Sequence, residues 1–231
     1  MSLQNIIDSA GSITWAGGPV TSSVLTRNGV LRTTSLASYQ PWSFTVTFPA
    51  SLKYSNNRDL LRDIDTLDRV TEETINIGNT NPSIAYITRY QGNASLASLN
   101  SITCISSSSD ESNLYLNCAS VTGSTGFLFK KGDFIQPKGN TGGYRYTYQV
   151  TSDITLSSAA GSSNVRIPVH RDVYSMIPYG VTIGSAGINW GANVTFPVKM
   201  LQKPSYTMLP YDRVTFDSEF QLIEVIKDFS A

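Results

Sequence analysis

Apolar and polar residues alternate along much of this chain, and the alternation predicts strands. Trp42, Phe44, Val46 and Phe48 fall on one face of a strictly alternating run, the pattern of a half-buried strand. Further strand signals lie at 13–15, 23–27, 30–34, 74–77, 83–90, 114–116, 126–129, 133–136, 144–151, 164–169, 193–200, 213–216 and 220–226. Turn-forming groups separate many of them, among them Gly17-Gly18-Pro19, Lys131-Gly132-Asp133, Lys138-Gly139-Asn140 and Ala160-Gly161-Ser162. Asn28-Gly29, flanked by apolar alternating runs, predicts a tight hairpin, because both residues tolerate positive φ.

One segment changes period. Over 56–70, Leu60, Leu61, Ile64, Leu67 and Val70 recur every three or four positions, which predicts an amphipathic helix packed on a sheet. Asn56 or Asn57 is placed to accept a free backbone N–H of its first turn. The opposite face carries Arg58, Asp59, Arg62, Asp63, Asp65, Asp68 and Arg69. Pairs such as Asp65–Arg69 would suit a solvated face, each worth a few tenths of a kcal/mol. A polar contact to a neighbouring subunit is the functional alternative.

The three Trp residues sit at 15, 42 and 190, and none lies in the middle of the chain. From Gln91 to about Ala119 the composition shifts toward Ser and Asn, and a series of short strands follows. The expected architecture is mainly β, with one α-helix and one core shared by 1–92 and 181–231. An inserted small all-β barrel domain would occupy 93–180.

Composition narrows the class. The 231 residues carry 17 Lys+Arg and 17 Asp+Glu, so the formal net charge is zero. Charged residues are 15 % of the chain, against the roughly 25 % of an ordinary soluble domain. Hydrophobic residues are 40 %, enough for a core. Without a basic stripe, specific nucleic-acid binding is not expected. No apolar stretch approaches the roughly 20 residues of a membrane-spanning helix. The opening MSLQNIIDSAG has neither the basic nor the apolar region of a secretory signal. A neutral, charge-poor chain has little colloidal repulsion, which favours self-association and points to an assembly subunit.

The reactive inventory is short. Cys104 and Cys118 are the two thiols, and His170 is the one histidine. The cysteines could face each other across a hairpin, but buried free thiols are the expectation without an export signal. A structural zinc site needs four Cys or His ligands, more than the chain holds. His170-Arg171-Asp172 matches the opening of a kinase catalytic loop, but the downstream Asn, Gly-rich loop and DFG motif are missing. A polysaccharide hydrolase would need two carboxylates about 5–10 Å apart. Asp133, Asp153, Asp172 and Asp217 are available, yet no spacing singles out a pair. No catalytic, cofactor-binding or metal-binding residue is therefore assigned, and no enzyme activity or cofactor is expected. Tyr144, Tyr146 and Tyr148 alternate, so they share one strand face and could either stack on sugars or pack in the core.

The two ends of the chain bear a resemblance. Leu25-Thr26-Arg27-Asn28-Gly29, Arg32-Thr33-Thr34-Ser35, Pro41-Trp42-Ser43-Phe44-Thr45-Val46 and the helix at 58–70 resemble tail and baseplate structural proteins of tailed bacteriophages. Lys203-Pro204-Ser205-Tyr206-Thr207, Asp212-Arg213-Val214-Thr215-Phe216 and Phe220-Gln221-Leu222-Ile223-Glu224 share the likeness. In the middle, 129–136 and 146–151 look like a small β-domain that recurs in virion proteins. The resemblance implies a tail-tube-like fold, an antiparallel β-barrel or sandwich flanked by one α-helix, assembled as a closed ring, with a hexamer favoured and a trimer possible. It further implies a location in the virion after synthesis in the host cytoplasm, at the tube end or baseplate. Neighbouring tube, baseplate or fibre proteins would be the partners. A carbohydrate-binding β module of a tail adhesin is the alternative.

Overall fold

A computed structural model describes residues 3–17, 20–25, 27, 31–37, 41–49, 51–68, 70–78, 84–104, 115–122, 126–138, 146–156, 162–171 and 186–226. The fold is mainly β, and all of its described strand pairs are antiparallel. The Asn28-Gly29 turn, Tyr144, Asp172 and Arg69 lie outside the described residues.

Both ends of the chain build one sheet. β1 (Ser12–Ala16), β4 (Ser43–Thr47), β18 (Phe220–Glu224), β15 (Phe196–Gln202) and β6 (Glu73–Ile75) lie side by side in that order. The predicted alternation around β4 sets its inward face: Trp42, Phe44 and Val46 are buried and Phe48 is partly so. β18 alternates in the same way, burying Phe220 and Leu222 between β4 and β15. Helix α2 (Tyr54–Thr66) contributes Leu60 and Ile64 to this core, while Val70 lies past its end and is 78 % exposed. Helix α1 (Leu3–Asp8), which the sequence reading missed, adds Leu3, Ile6 and Ile7. Gly17 approaches the Trp42 ring so closely that a Cβ there would sit 2.3 Å from it.

A second core belongs to the middle of the chain. Its sheet runs β11 (Tyr148–Gln149), β10 (Phe134–Pro137), β14 (Ala186–Trp190), β7 (Thr103–Cys104), β8 (Tyr115–Thr122) and β13 (Ser162–Pro168). β9 (Gly126–Phe129) and β12 (Ile154–Leu156) form a separate pair whose Leu128, Phe129, Ile154 and Leu156 enter the same core. Helix α3 (Leu96–Ser101) adds Leu99 and begins with Ser95, whose hydroxyl accepts the Ser98 N–H. β14 follows position 180 yet pairs with β10 and β7 in this middle sheet.

Two smaller units complete the described chain. β2 (Val20–Leu25) and β3 (Leu31–Ala37) pair with each other. β5 (Leu52–Lys53), β17 (Arg213–Phe216) and β16 (Tyr206–Leu209) form a three-stranded sheet with β17 in the centre. Among the described residues none of the sheets closes on itself into a barrel, neither at the chain ends nor in the expected insertion, and the antiparallel sheets are consistent with a β-sandwich-like class.

Three local expectations change. The segment 83–90 is not a strand where described: Ala85–Thr88 is a 3-10 turn, with the Ile87 N–H donating to the Ile84 carbonyl. Within 144–151, β11 covers Tyr148–Gln149, Val150 makes a single bridge to Val169, and Tyr146, Tyr148 and Val150 all enter the middle core. The cap of α2 also differs. The helix starts before Asn56, and its first N–H groups are met by Asp212 from the β16–β17 turn. The Ser55 N–H donates to Asp212 Oδ1 at 2.9 Å and the Tyr54 N–H to the Asp212 carbonyl at 3.0 Å. Asn57 instead donates from Nδ2 to the Lys53 carbonyl and breaks the helical backbone with φ −122°.

Candidate functional site

The residues with chemistry to offer are mostly built into the interior. His170 is wedged against Trp42, with ring centroids 4.8 Å apart. Its Nδ1 accepts the Gln149 N–H at 2.9 Å, so the neutral ring carries its proton on Nε2. Burial, followed by the neighbouring Arg171 charge, lowers its pKa from 6.5 to about 3. His170 is thus a neutral packing residue at physiological pH.

Arg171 and Glu224 are both removed from solvent and form a two-pronged ion pair, with Nη1 2.5 Å from Oε2 and Nη2 2.8 Å from Oε1. The same guanidinium donates to the Thr147 carbonyl at 2.9 Å. Trp42 completes the knot. Its backbone N–H donates to Glu224 Oε2, and its indole N–H donates to the Thr147 carbonyl. Beside it, Gln136 donates from Nε2 to the Thr195 carbonyl at 2.6 Å and accepts from Asn189 Nδ2 at 3.1 Å. These buried polar groups join the two cores. Most of their donors meet acceptors, while Arg171 Nε and the adjacent His170 Nε2 are buried without a hydrogen-bond partner.

Of the carboxylates considered for catalysis, Asp133, Asp153 and Asp217 each accept hydrogen bonds from protein donors, and Asp172 lies outside the described residues. Asp133 is buried and accepts the Gln91 and Lys130 N–H groups, each at 2.8 Å. Loss of solvent raises its pKa, against the lowering effect of those N–H donors. Asp153 accepts the Lys131 N–H, and Asp217 accepts the Thr207 hydroxyl in the β16–β17 hairpin. Tyr146 and Tyr148 are 4 % and 1 % exposed in the middle core, so neither ring offers a face to a sugar. Among the described residues no group of three His, Cys, Asp or Glu side chains could hold a metal ion. No described helix is long and apolar enough to cross a membrane.

What remains on the surface is contact area. β16 is the outer strand of its sheet, and Met208 and Leu209 along it are exposed. At the turn, Tyr211 is 95 % exposed and adopts φ 65°, followed by Asp212 at 61°. Left-handed backbone at two successive non-glycine residues is costly. It is held by the bonds from Asp212 to the start of α2, so the hairpin tip is fixed by the helix behind it. A second tie comes from Tyr206, whose hydroxyl donates to Asp65 Oδ2 at 2.7 Å. Thus Asp65, read from the sequence as a partner for Arg69, holds the outer sheet to α2.

On another face, Ile13, Thr14, Trp15, Tyr86 and Ile87 line an open groove along β1, the edge strand of the five-stranded sheet. Tyr86 in that groove is 69 % exposed. The sequence reading missed both surfaces. The run Met208-Leu209-Pro210-Tyr211 in a charge-poor chain was the available signal for the first. No protein-family model matches the chain, and no curated protein is detectably similar to it in sequence.

Proposed function

We propose that the chain is a non-enzymatic structural subunit of a bacteriophage tail, of the distal-tail or tube-initiator type. In this reading it forms a closed ring at the tube end or baseplate. The observation that carries it is the β16 edge, where Met208, Leu209 and Tyr211 stand in solvent on a hairpin anchored to α2. An uncharged apolar edge strand is a liability in a monomer, and pairing with a neighbour removes it. Zero net charge leaves no long-range repulsion to oppose that pairing. The resemblance of the chain ends to tail proteins supplies the setting. A tail-tube-like wall, closed by repetition of the subunit, belongs to the same proposal. Six subunits are favoured over three, and tube, baseplate or fibre proteins would be the neighbours in the virion.

Sedimentation and negative-stain imaging of the purified protein at micromolar concentration test the reading, with rings as the expected result. A DNA titration at low salt accompanies them. A phosphate-lined contact would show salt-dependent affinity, and the proposal expects none. A persistent monomer that engages no tail component, or tight DNA binding, overturns it.

A second reading is favoured by the groove beside β1. Exposed Tyr86 next to Trp15 gives an aromatic wall of the kind that stacks on sugar rings, as a carbohydrate-binding module of a tail adhesin would need. Specific signals on a glycan array, lost in Tyr86→Ala, would select this reading over the scaffold.

A further inference from the structure

Cys104 and Cys118 lie directly opposite each other on β7 and β8, with Sγ atoms 3.6 Å apart. Both side chains are buried and both are free thiols. They sit inside the middle sheet, where β14 flanks β7 and β13 flanks β8, so the strands on either side fix their spacing. Leu116, Ile167 and Ile188 pack in the same core. Facing residues of an antiparallel pair have Cα atoms about 4.5–5.5 Å apart. That lies within the roughly 4.4–6.8 Å that a disulfide accepts. The sulfurs then need to close to about 2.05 Å, a movement small enough for side-chain rotation.

We propose that Cys104 and Cys118 are an oxidisable pair that closes to an intramolecular disulfide when the protein meets a small disulfide oxidant. One cysteine, as its thiolate, attacks the oxidant's S–S bond and releases one small thiol. The other cysteine's thiolate then attacks the resulting mixed disulfide, forming the Cys104–Cys118 bond and releasing the second small thiol. The two protons of the protein thiols end on the two released thiols. The protein pair is oxidised by two electrons and the oxidant is reduced by two. In a reducing cytoplasm the pair stays as thiols, and outside it the bond forms. The bond would tie β7 to β8 across the segment 105–114. The inference is independent of what the protein assembles into.

The test uses the full chain with an excess of hydroxyethyl disulfide in two arms. In one arm the reduced protein is treated while folded, and in the other it refolds from denaturant in the oxidant. Each sample is then denatured and treated with iodoacetamide, and its intact mass is measured. The expected product has lost two hydrogens, takes no alkyl group, and runs as a monomer on a non-reducing gel. Its Tm should exceed that of the reduced protein by about 6–12 °C, the loop-entropy expectation for a chain of this size. Reductant should reverse the change, and C118S should show no rise. Closure in the refolding arm alone places bond formation during folding and still supports the pair. Two alkyl groups in both arms, disulfide-linked dimers, or a disulfide form that melts no higher than the reduced one would overturn it.

Discussion

Arg171 and Glu224, 53 positions apart, meet as a fully buried, two-pronged ion pair at the junction of the two cores. Glu224 also accepts the Trp42 N–H, and Arg171 shares the Thr147 carbonyl with the Trp42 indole. Removing one charge strands the other away from water. Glu224→Gln should therefore cost about 3–5 kcal/mol in a denaturant titration. Arg171→Met combined with Glu224→Leu should cost clearly less than the sum of the single changes. Additive losses would show that the two charges are not coupled.

His170 makes stability depend on pH. Its folded pKa of about 3 lies below the ordinary 6.5, so the unfolded chain binds more protons between those values. Stability should fall as pH drops from about 6.5 toward 3, by up to about 1.4 kcal/mol per unit. Asp133, whose pKa is raised in the fold, acts in the opposite sense over part of that range. Comparing the pH dependence of unfolding in wild type and His170→Asn isolates the histidine. The Asn variant, which keeps an acceptor for the Gln149 N–H, should show the flatter acid limb.

Ile64 is fully buried on α2 against the five-stranded sheet. Ile64→Asp places a carboxylate there without a partner, at a cost of several kcal/mol against a total stability of about 5–15. The variant should be insoluble or lack a cooperative melt. Ile64→Val should fold and lose only about 0.5–1.5 kcal/mol. A soluble Asp variant with an unchanged melting curve would contradict the packing of α2.

Met208 is 59 % exposed on the outer strand of its sheet. Met208→Glu should leave the monomer's melting temperature almost unchanged, within the roughly 0.5 kcal/mol usual for surface changes. It should weaken association, because facing copies would each bring a charge to an apolar contact. Sedimentation velocity over a concentration series reads the shift toward smaller species. Unchanged assembly would remove β16 from the interface.

The parts legible in the sequence are those whose burial repeats along one element. Trp42, Phe44 and Val46 at a spacing of two, and Leu60 and Ile64 at a spacing of four, are enough to orient β4 and α2. Helix α1 was not legible, because Leu3, Ile6 and Ile7 span less than two turns. The residues 83–90 alternate as a strand would, yet no ladder claims the described part of them. They turn at Ala85–Thr88 beside the 3-10 turn Gly191–Asn193. The Arg171–Glu224 pair was illegible as a pair because nothing local links the two positions. One sign was present: Glu224 occupies the inward register of β18 after Phe220 and Leu222, where a carboxylate needs a partner. The α2 cap was hidden for the same reason, since Asp212 and Ser55 are 157 positions apart.

The position of β18 between β4 and β15 bears on the order in which the molecule can be made. It is translated after every other described strand, yet it fills an interior place in the sheet. While the ribosome is still upstream of Phe220, the β1–β4 pair and the β15–β6 pair have no strand between them. The middle core draws its strands from 103–190 and lacks only the partly buried Ile226, so it can condense earlier. Nascent copies crowded on one message therefore carry an incomplete sheet until β18 has been made. Glu224 arrives with that last strand and locks Arg171 of the earlier-made core to it.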